Sequence, residues 1–308
     1  MADGGMLPQV LLYGHPPPAL FPEPAGAIQV SPLHPGGRDL SEPPGLAFGS
    51  ALIVAPPGRL EREWVLARVL QILPPGAPIT ALAPNDRGGP RIAPALRTFG
   101  CRVTDEPKRR NRICRTLRPE TPAGLEGALE AGGARLHSGL GLWTQPGVFS
   151  WDRKDPGTVL LLDVLPPLEG RGADFGCGVG VIALHVLGRP GVTAIELWDI
   201  DRRAIACAQR NVTDGRAAFH HGDIRRMSAG EGDLDFVVMN PPFHDGGRED
   251  RALGAAFIAA AGRRLRPGGR CWITANRHLP YEAPLAAAFR EVRPRAEAGG
   301  FKVYEAIR

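Results

Sequence analysis

The chain has 308 residues, of which 43% are apolar and 22% are charged, and its net charge is +5. This composition excludes a wholly disordered chain. The sequence contains no apolar run of about 18 residues, so it predicts no membrane span. Arginine far outnumbers lysine, a bias that either codon usage or an anionic partner explains.

Five scattered cysteines form no C-x-x-C pair. This pattern argues against a disulfide framework and against a zinc ribbon, and we predict no metal site. Residues 1–13 lack the basic stretch and long apolar core of a secretory signal, so we expect a cytoplasmic protein. The length is typical of two domains.

The first fifty residues are rich in proline and glycine, which predicts extended or irregular chain rather than long helices. Apolar spacing then predicts a β-α-β-α-β unit. Its strands and helices are expected at residues 51–55, 59–73, 78–82, 91–99 and 102–104. No glycine-rich nucleotide loop joins these strands, so this half has no recognisable cofactor site.

A basic segment, KRRNRICR at 108–115, places five cations in eight residues. Such clusters contact phosphates and supply the sequence-independent part of RNA affinity. A solvated face is an equally simple interpretation of the same residues, and the sequence leaves both open.

A glycine-rich connector at 126–143 leads to a second α/β half. We place the division near residue 135, which gives domains 1–135 and 136–308. Strand-like and helix-like segments alternate again in the second half, and residues 299–308 resemble closing strands. The predicted strands are 171–175, 193–199, 217–221, 234–239 and 270–275, and the predicted helices are 179–187, 202–213, 250–265 and 281–290.

The sequence DFGCGVG at 174–180 lies between a predicted strand and a predicted helix. Gly176, Gly178 and Gly180 let the backbone turn tightly and approach a ligand closely. Their spacing differs from the G-x-G-x-x-G of dinucleotide sites, and the Asp174 carboxylate opposes a pyrophosphate. An anionic Asp174 favours S-adenosylmethionine, which carries an ammonium and a sulfonium group. A purely structural glycine turn is the alternative.

Three aspartates follow the next two predicted strands. Asp199 ends the second strand, where a carboxylate accepts the two hydroxyls of a ribose. Asp201 also lies there, but its position suits the N-cap of the following helix. Asp223 follows the third strand and suits either an adenine amine or a cap.

After the fourth strand the chain reads Asn240-Pro241-Pro242-Phe243. The two prolines fix the backbone, so the Asn240 amide oxygen and the Pro241 carbonyl become fixed acceptors for an exocyclic NH2 group. Binding both protons orients the nitrogen lone pair toward an electrophilic methyl group. Phe243 offers a face for stacking a base. Taken alone, the segment is equally well explained as a turn.

Together these motifs resemble the class I S-adenosylmethionine-dependent methyltransferases that act on amino nitrogens. More narrowly, residues 146–155, 240–246, 279–281 and 301–308 are similar to the ribosomal RNA small-subunit guanine-N2 methyltransferase family. The resemblance implies an α/β fold: a Rossmann-like catalytic domain with a seven-stranded mixed sheet, preceded by a smaller degenerate methyltransferase-like domain that helps bind RNA. It implies methyl transfer to guanine N2 in 16S rRNA.

The same resemblance implies the site residues and the partner. It assigns S-adenosylmethionine to Asp174, Gly176, Cys177, Gly178, Gly180, Asp199, Asp223 and Asn240. It assigns the target amine to Asn240, Pro241, Pro242 and Phe243. The implied partner is ribosomal RNA or the small ribosomal subunit, and we expect a monomer.

Two other functions remain open from the sequence. One is the same chemistry on another amine, such as adenine N6 or a glutamine side chain. Enzymes of that kind often have tyrosine after the proline pair, where this chain has Phe243. The other is a non-catalytic RNA-binding protein with a vestigial cofactor pocket, which the intact Asp174, Asp199 and Asn240 argue against.

Three further features have two interpretations each. We expect His244 to shape the site rather than act as a general base, because solvent can take the proton that the amine loses. His220 and His221 are adjacent on a strand and point to opposite faces, which argues against a metal pair. Phe149 and Ser150 suit either a lid over the cofactor or a simple loop anchor.

Overall fold

The computed structural model describes residues 9–42, 47–227, 232–242, 244–245, 248–249 and 251–308. The chain divides into two compact units, Met1–Ala134 and Arg135–Arg308. Each unit has its own sheet and its own apolar core. No helix among the described residues is long and apolar enough to cross a membrane.

The described residues of the first unit form a six-stranded sheet, in the strand order β2-β1-β3-β4-β6-β5, with three α-helices and one 3₁₀ turn. Its strands are β1 (Gln9–Tyr13), β2 (Ile28–Gln29), β3 (Phe48–Val54), β4 (Pro78–Pro84), β5 (Thr104–Lys108) and β6 (Asn111–Leu117), and its helices are α1 (Arg59–Ile72), α2 (Ile92–Thr98) and α3 (Leu125–Gly132). Helix α1 buries Val65, Leu66, Val69 and Leu70, the spacing expected of one apolar helix face.

Several elements of this unit differ from the sequence prediction. Strand β2 lies in the segment predicted to be irregular, β6 was not predicted, and β5 begins at Thr104, where the expected strand 102–104 ends. Strand β1 lies in the segment predicted to be irregular, because its five residues are apolar enough to pair with β3 despite the prolines around them. Helix α3 occupies part of the predicted connector. Gly132 belongs to this helix, where a Cβ atom would lie 2.4 Å from the Trp64 Cβ. The glycine therefore allows α3 to approach α1 closely rather than marking a linker.

The basic segment 108–115 covers the end of the first strand, the turn and most of the second strand of a β-hairpin. Arg109 and Arg110 are the two turn residues, with φ values of 47° and 63°. Positive φ at both central residues is typical of a tight type I′ hairpin turn, which favours Asn and Gly. A residue with a Cβ atom costs about 1–2 kcal/mol in this conformation. Two arginines here are therefore a strained choice.

The second unit contains a seven-stranded sheet in the order β11-β10-β9-β12-β15-β17-β16, in which β17 runs antiparallel to both of its neighbours. Its other described strands form two two-stranded sheets, β7-β8 and β13-β14. The strands are β7 (Arg135–His137), β8 (Leu142–Thr144), β9 (Gly170–Phe175), β10 (Val192–Asp199), β11 (Ala217–His221), β12 (Leu234–Met239), β13 (His244–Asp245), β14 (Arg248–Glu249), β15 (Leu265–Asn276), β16 (Glu291–Ala298) and β17 (Phe301–Ile307). The helices are α4 (Pro156–Val164), α5 (Val181–Leu187), α6 (Arg202–Asn211), α7 (Arg251–Arg264) and α8 (Glu282–Ala288). The expected seven-stranded mixed sheet is confirmed.

The central strand β12 explains why the site residues are held firmly. Phe236, Val237, Val238 and Met239 are all buried, as is typical of a parallel strand covered on both faces. The polar segment that begins at Asn240 therefore starts at a fixed point on the carboxyl edge of the sheet.

The two sheets share a strand order. The order β2-β1-β3-β4-β6-β5 of the first unit corresponds to β10-β9-β12-β15-β17-β16 of the second. Helices α1 and α7 both have 14 residues and follow the corresponding strands β3 and β12. Two prolines follow each of these strands, in Ala55-Pro56-Pro57 and in Asn240-Pro241-Pro242. The hairpin turns correspond as well: where the first unit has two arginines, the second has Gly299 and Gly300, with φ values of 59° and 83°.

A buried arginine donates hydrogen bonds to the carbonyl groups of the proline pair in the first unit. Arg62 is 3% exposed, and its Nη1 atom donates to the carbonyl oxygens of Pro56 (3.1 Å) and Pro57 (2.8 Å). A side chain of the protein itself therefore occupies the backbone acceptors at this position.

Candidate functional site

The glycine loop joins β9 to α5 and is fastened to the next strand. Gly176 and Cys177 both donate their backbone N–H groups to the Trp198 carbonyl, at 2.8 and 3.0 Å. Gly176, Gly178 and Gly180 all have positive φ, at 76°, 54° and 89°. A Cβ atom on Gly178 would meet nothing within 4 Å, so this part of the loop borders open space.

Asp174 is the least compensated charge-bearing group of the site. Its side chain is fully buried, and among the described residues neither carboxylate oxygen accepts a hydrogen bond of normal geometry. Burial and, to a smaller degree, the Asp199 carboxylate raise the pKa of Asp174 to about 8, which the Ala183 backbone opposes only in part. A buried carboxylate of this kind is costly unless a cation joins it.

Asp199 lies beside the same loop at the end of β10. Its Oδ2 atom accepts from the Gly178 N–H and its Oδ1 atom accepts from the Asp201 N–H, both at 2.8 Å. Burial raises the pKa of Asp199 to about 6, although these N–H groups hold it down. The carboxylate is thus oriented against the glycine loop, and each oxygen keeps a second lone pair for a ligand hydroxyl.

Asp201 and Asp223 both act as helix caps. The Asp201 side chain accepts from the Arg203 N–H at 2.9 Å and begins α6. Asp223 accepts from the Arg225 N–H at 2.9 Å, begins a single 3₁₀ turn at 224–226, and forms an ion pair with the Arg225 side chain. The cap interpretation of Asp201 therefore describes the structure, and Asp223 has a structural partner already. An adenine contact by Asp223 stays a prediction.

Cys177 lies within the loop, but its thiol is unreactive. Its side chain is buried, and burial together with the Asp199 and Asp174 carboxylates raises the pKa of the thiol. A protonated buried thiol is neither a nucleophile nor a metal ligand. All five cysteines are free and buried.

Asn240 follows β12, and its amide group is held by two side chains. Its Nδ2 atom donates to Asp155 Oδ2 at 2.8 Å and to Thr158 Oγ1 at 2.9 Å. Both amide protons are thereby used, which fixes the orientation of the amide. The Oδ1 atom is the acceptor that remains.

Asp155 and Thr158 are site residues that sequence reasoning missed. Asp155 is the N-cap of α4 and accepts the Thr158 N–H at 2.7 Å. The sequence signal was present, because aspartate followed by proline is typical of a helix start. Nothing in the sequence, however, relates Asp155 to a residue 85 positions further along the chain.

The glycine loop and the proline segment meet at the carboxyl edge of the sheet. Strands β9 and β12 are neighbours, with Asp174 opposite Val238 and Phe175 opposite Met239. A Cβ atom on Gly176 would lie 3.8 Å from both the Asn240 carbonyl oxygen and the Pro242 Cδ atom. The structure therefore brings together the predicted cofactor loop and the predicted amine-binding segment.

Some predicted features lie outside the described residues. Phe243 is one of them, and so is the side chain of His244, so their proposed contacts stay predictions. His220 stacks on Trp198 with ring centroids 4.3 Å apart, and the Nε2 atom of His221 lies 3.0 Å from the Ile200 carbonyl oxygen. The two histidines thus have separate structural partners.

The segment before α4 adjoins the loop. Val148 belongs to a small apolar cluster that includes Val179 of the glycine loop. The next residue, Phe149, is 55% exposed, and Ser150 has a φ of 49°. An exposed aromatic side chain beside an anchored residue suits the predicted lid, which stays a prediction.

Comparison with known proteins gives a consistent result. The family model described as methyltransferase small domain matches residues 139–305. The chain is 34% identical over 254 residues to the Chromohalobacter salexigens protein named ribosomal RNA small subunit methyltransferase C, covering 80% of this chain and 74% of that protein. It is 40% identical over 159 residues to the Shewanella amazonensis protein of the same name, covering 51% and 46%. The chain spans about half the length of the first curated relatives that it matches.

One solved structure has the same overall fold. It is the T. thermophilus 16S rRNA N2 methyltransferase in complex with AdoMet and guanosine, with a TM-score of 0.71 and 24% sequence identity. The match covers 85% of this chain and 73% of that chain.

Proposed function

Because the chain belongs to the methyltransferase small domain family, we propose that it transfers a methyl group from S-adenosylmethionine to N2 of guanine in small-subunit rRNA. The observation that carries the proposal is the arrangement at Asn240. Its two amide protons bind Asp155 and Thr158, and its amide oxygen is left as an acceptor beside a loop suited to a nucleoside.

The glycine loop fits S-adenosylmethionine. Asp174 presents a buried carboxylate that accepts no hydrogen bond of normal geometry among the described residues, which suits the ligand's positive charge. Asp199 is oriented by Gly178 to accept ribose hydroxyls. When bound, this cofactor supplies an electrophilic methyl group on its sulfonium sulfur.

The protein's own contribution is to position the amine. Asn240 Oδ1 and the Pro241 carbonyl accept the two protons of the guanine N2 group. The nitrogen lone pair then points out of the base plane toward the methyl group, and the positive charge that develops on nitrogen is stabilised by the two oxygens. Solvent takes the proton that is lost after transfer, so we assign no general base.

The substrate assignment rests on the relatives. The C. salexigens relative, of which this chain covers 74%, is named for small-subunit rRNA methylation, and the T. thermophilus structure holds guanosine. These names support guanine in rRNA over adenine or a protein glutamine. We further propose that the protein works in the cytoplasm, where its substrate resides.

A tritiated-methyl assay tests this function. Unmodified 30S subunits and naked 16S rRNA are incubated with the protein and labelled cofactor, and the labelled nucleoside is identified. We expect N2-methylguanosine. A label on adenosine or on protein would replace the guanine assignment, and no incorporation into any particle would contradict the enzymatic function.

Asn240→Ala is the matching variant. It removes one of the two acceptors, so we expect methyl transfer to fall below detection while the Kd for S-adenosylmethionine changes by less than about 3-fold. Turnover equal to that of the unaltered protein would reject the role of Asn240.

A further inference from the structure

The tip of the β5–β6 hairpin carries cations without acidic partners. Lys108, Arg109 and Arg110 are all exposed. The other two cations of the segment are neutralised, since Arg112 Nε donates to Asp105 at 2.8 Å and Arg115 forms an ion pair with Glu106 at 2.9 Å. No acid of the described residues pairs with the three at the tip.

The turn holds these side chains at a cost to stability. Arg109 and Arg110 occupy the two left-handed positions that Gly299 and Gly300 occupy in the corresponding hairpin of the second unit. Stability alone favours glycine or asparagine at such positions. A strained conformation that is kept at a cost to stability supports a functional hypothesis for the residues that adopt it.

The tip is also held in place by its own unit. The Asn85 N–H donates to the Arg110 carbonyl at 2.9 Å, and Arg109 Nη1 donates to the Ala19 carbonyl at 3.0 Å. The pairing of Pro84 with Asn111 puts the tip at the carboxyl edge of the first sheet. The adjoining residues 85–91 add two arginines and one aspartate, a net positive charge next to the tip.

We propose that Lys108, Arg109 and Arg110 form a phosphate-binding tip that contacts the backbone of the RNA substrate. The proposal rests on the proposed function for the identity of the RNA. Guanidinium groups bind phosphate oxygens through paired N–H donors, and such contacts strengthen binding without reading the base sequence. The tip thus adds affinity for RNA to a unit that has no cofactor loop of its own.

The double variant R109N/R110G tests the tip, because it removes two charges and relieves the strained turn together. We expect Tm to rise by about 3–6 °C. We expect the affinity for a 16S rRNA transcript to fall about 10-fold at 0.1 M salt, and the slope of log K against log salt to fall by about 1.5. Greater stability with weaker RNA binding is a combination that a merely structural turn cannot produce.

Two control variants separate charge from position. R97Q/R102Q removes two exposed arginines of the same unit, near the opposite end of β5 from the turn, and should leave the salt slope within 0.5 of the unaltered value (about one third of the expected effect). R109K/R110K keeps the charge and should retain most of the RNA affinity.

Several outcomes would overturn the proposal. If R109N/R110G binds RNA with an unchanged salt slope while the unaltered protein methylates rRNA, the tip does not bind phosphate and the proposed function stands. If R97Q/R102Q loses as much slope as R109N/R110G, general charge rather than the tip is responsible. If the unaltered protein neither binds nor methylates rRNA, both proposals fail.

Discussion

Asp174→Asn isolates the buried charge at the end of β9. In the free protein, burial and the neighbouring Asp199 carboxylate raise the pKa of Asp174 to about 8. The carboxyl group is therefore largely protonated at neutral pH, and a cationic ligand must displace that proton to gain a full ion pair. Binding of S-adenosylmethionine should thus release a proton.

The size of the effect follows from the pKa. For one linked proton, the affinity is proportional to the ionised fraction of the free carboxyl group. With a pKa of about 8, that fraction rises about 20-fold between pH 6 and pH 7.5. At pH 7.5 an α-amino group with a pKa of about 8 is still about three-quarters protonated, so the ligand's own titration reduces this rise only slightly.

The same linkage predicts how stability depends on pH. The pKa of Asp174 is raised from its ordinary 3.8 to about 8, so the folded protein holds a proton that the unfolded chain has released. The favourable contribution is complete below about pH 4 and is lost as the pH rises to about 8, by at most ~6 kcal/mol. Asp174→Asn has no such proton and should lose this pH dependence.

Isothermal titration calorimetry in two buffers of different ionisation enthalpy measures both the Kd and the proton release. We expect Asp174→Asn to bind more weakly and to keep only the roughly 2-fold change in affinity between pH 6 and 7.5 that Asp199, with a pKa of about 6, contributes. Asp163→Asn, a change at an exposed position on α4, should keep the profile of the unaltered protein. A Kd for the unaltered protein that does not change over this range, with no proton released, would refute the reasoning.

Three other changes have distinct expected outcomes. Asp155→Ala removes a charged hydrogen-bond partner of Asn240 and should lower kcat about 10–100-fold with little change in cofactor Kd. The single variant N240D should also lose activity. The double variant D155N/N240D restores a donor–acceptor pair and should recover part of that activity. Gly178→Ala places a methyl group in open space at a φ of 54°; we expect the free energy of unfolding to fall by only about 1 kcal/mol, while calorimetry gives a cofactor Kd at least about 10-fold higher. Arg62→Met leaves the buried Pro56 carbonyl without its donor and should lower the free energy of unfolding in urea by about 1–3 kcal/mol without altering the cofactor Kd.

Much of the second unit was predictable because the local sequence pattern identifies its central strands. Strands such as β12 are continuous apolar runs bounded by polar turns, and buried parallel strands have this pattern. The functional residues then follow each strand directly, as Asp199 and Asn240 do. Parallel strands place their carboxyl ends at one edge, so proximity in space could be inferred from order along the chain.

What the sequence could not reveal were relations between distant residues. The contact of Asp155 with Asn240 depends on the tertiary placement of α4, which no periodicity encodes. Helix α3 was hidden because Gly132 resembles a linker residue until its close packing on Trp64 is seen. The strain at Arg109 is likewise a property of φ and not of composition.

The buried Arg62 keeps the first unit from acquiring the acceptor pair of the second by one substitution. An amide side chain at position 55 would supply one acceptor, but the Pro56 carbonyl would still be bound by the guanidinium. Removing Arg62 alone would leave that buried carbonyl without its donor and weaken the fold. At least two changes are therefore needed, and the first of them brings no gain by itself.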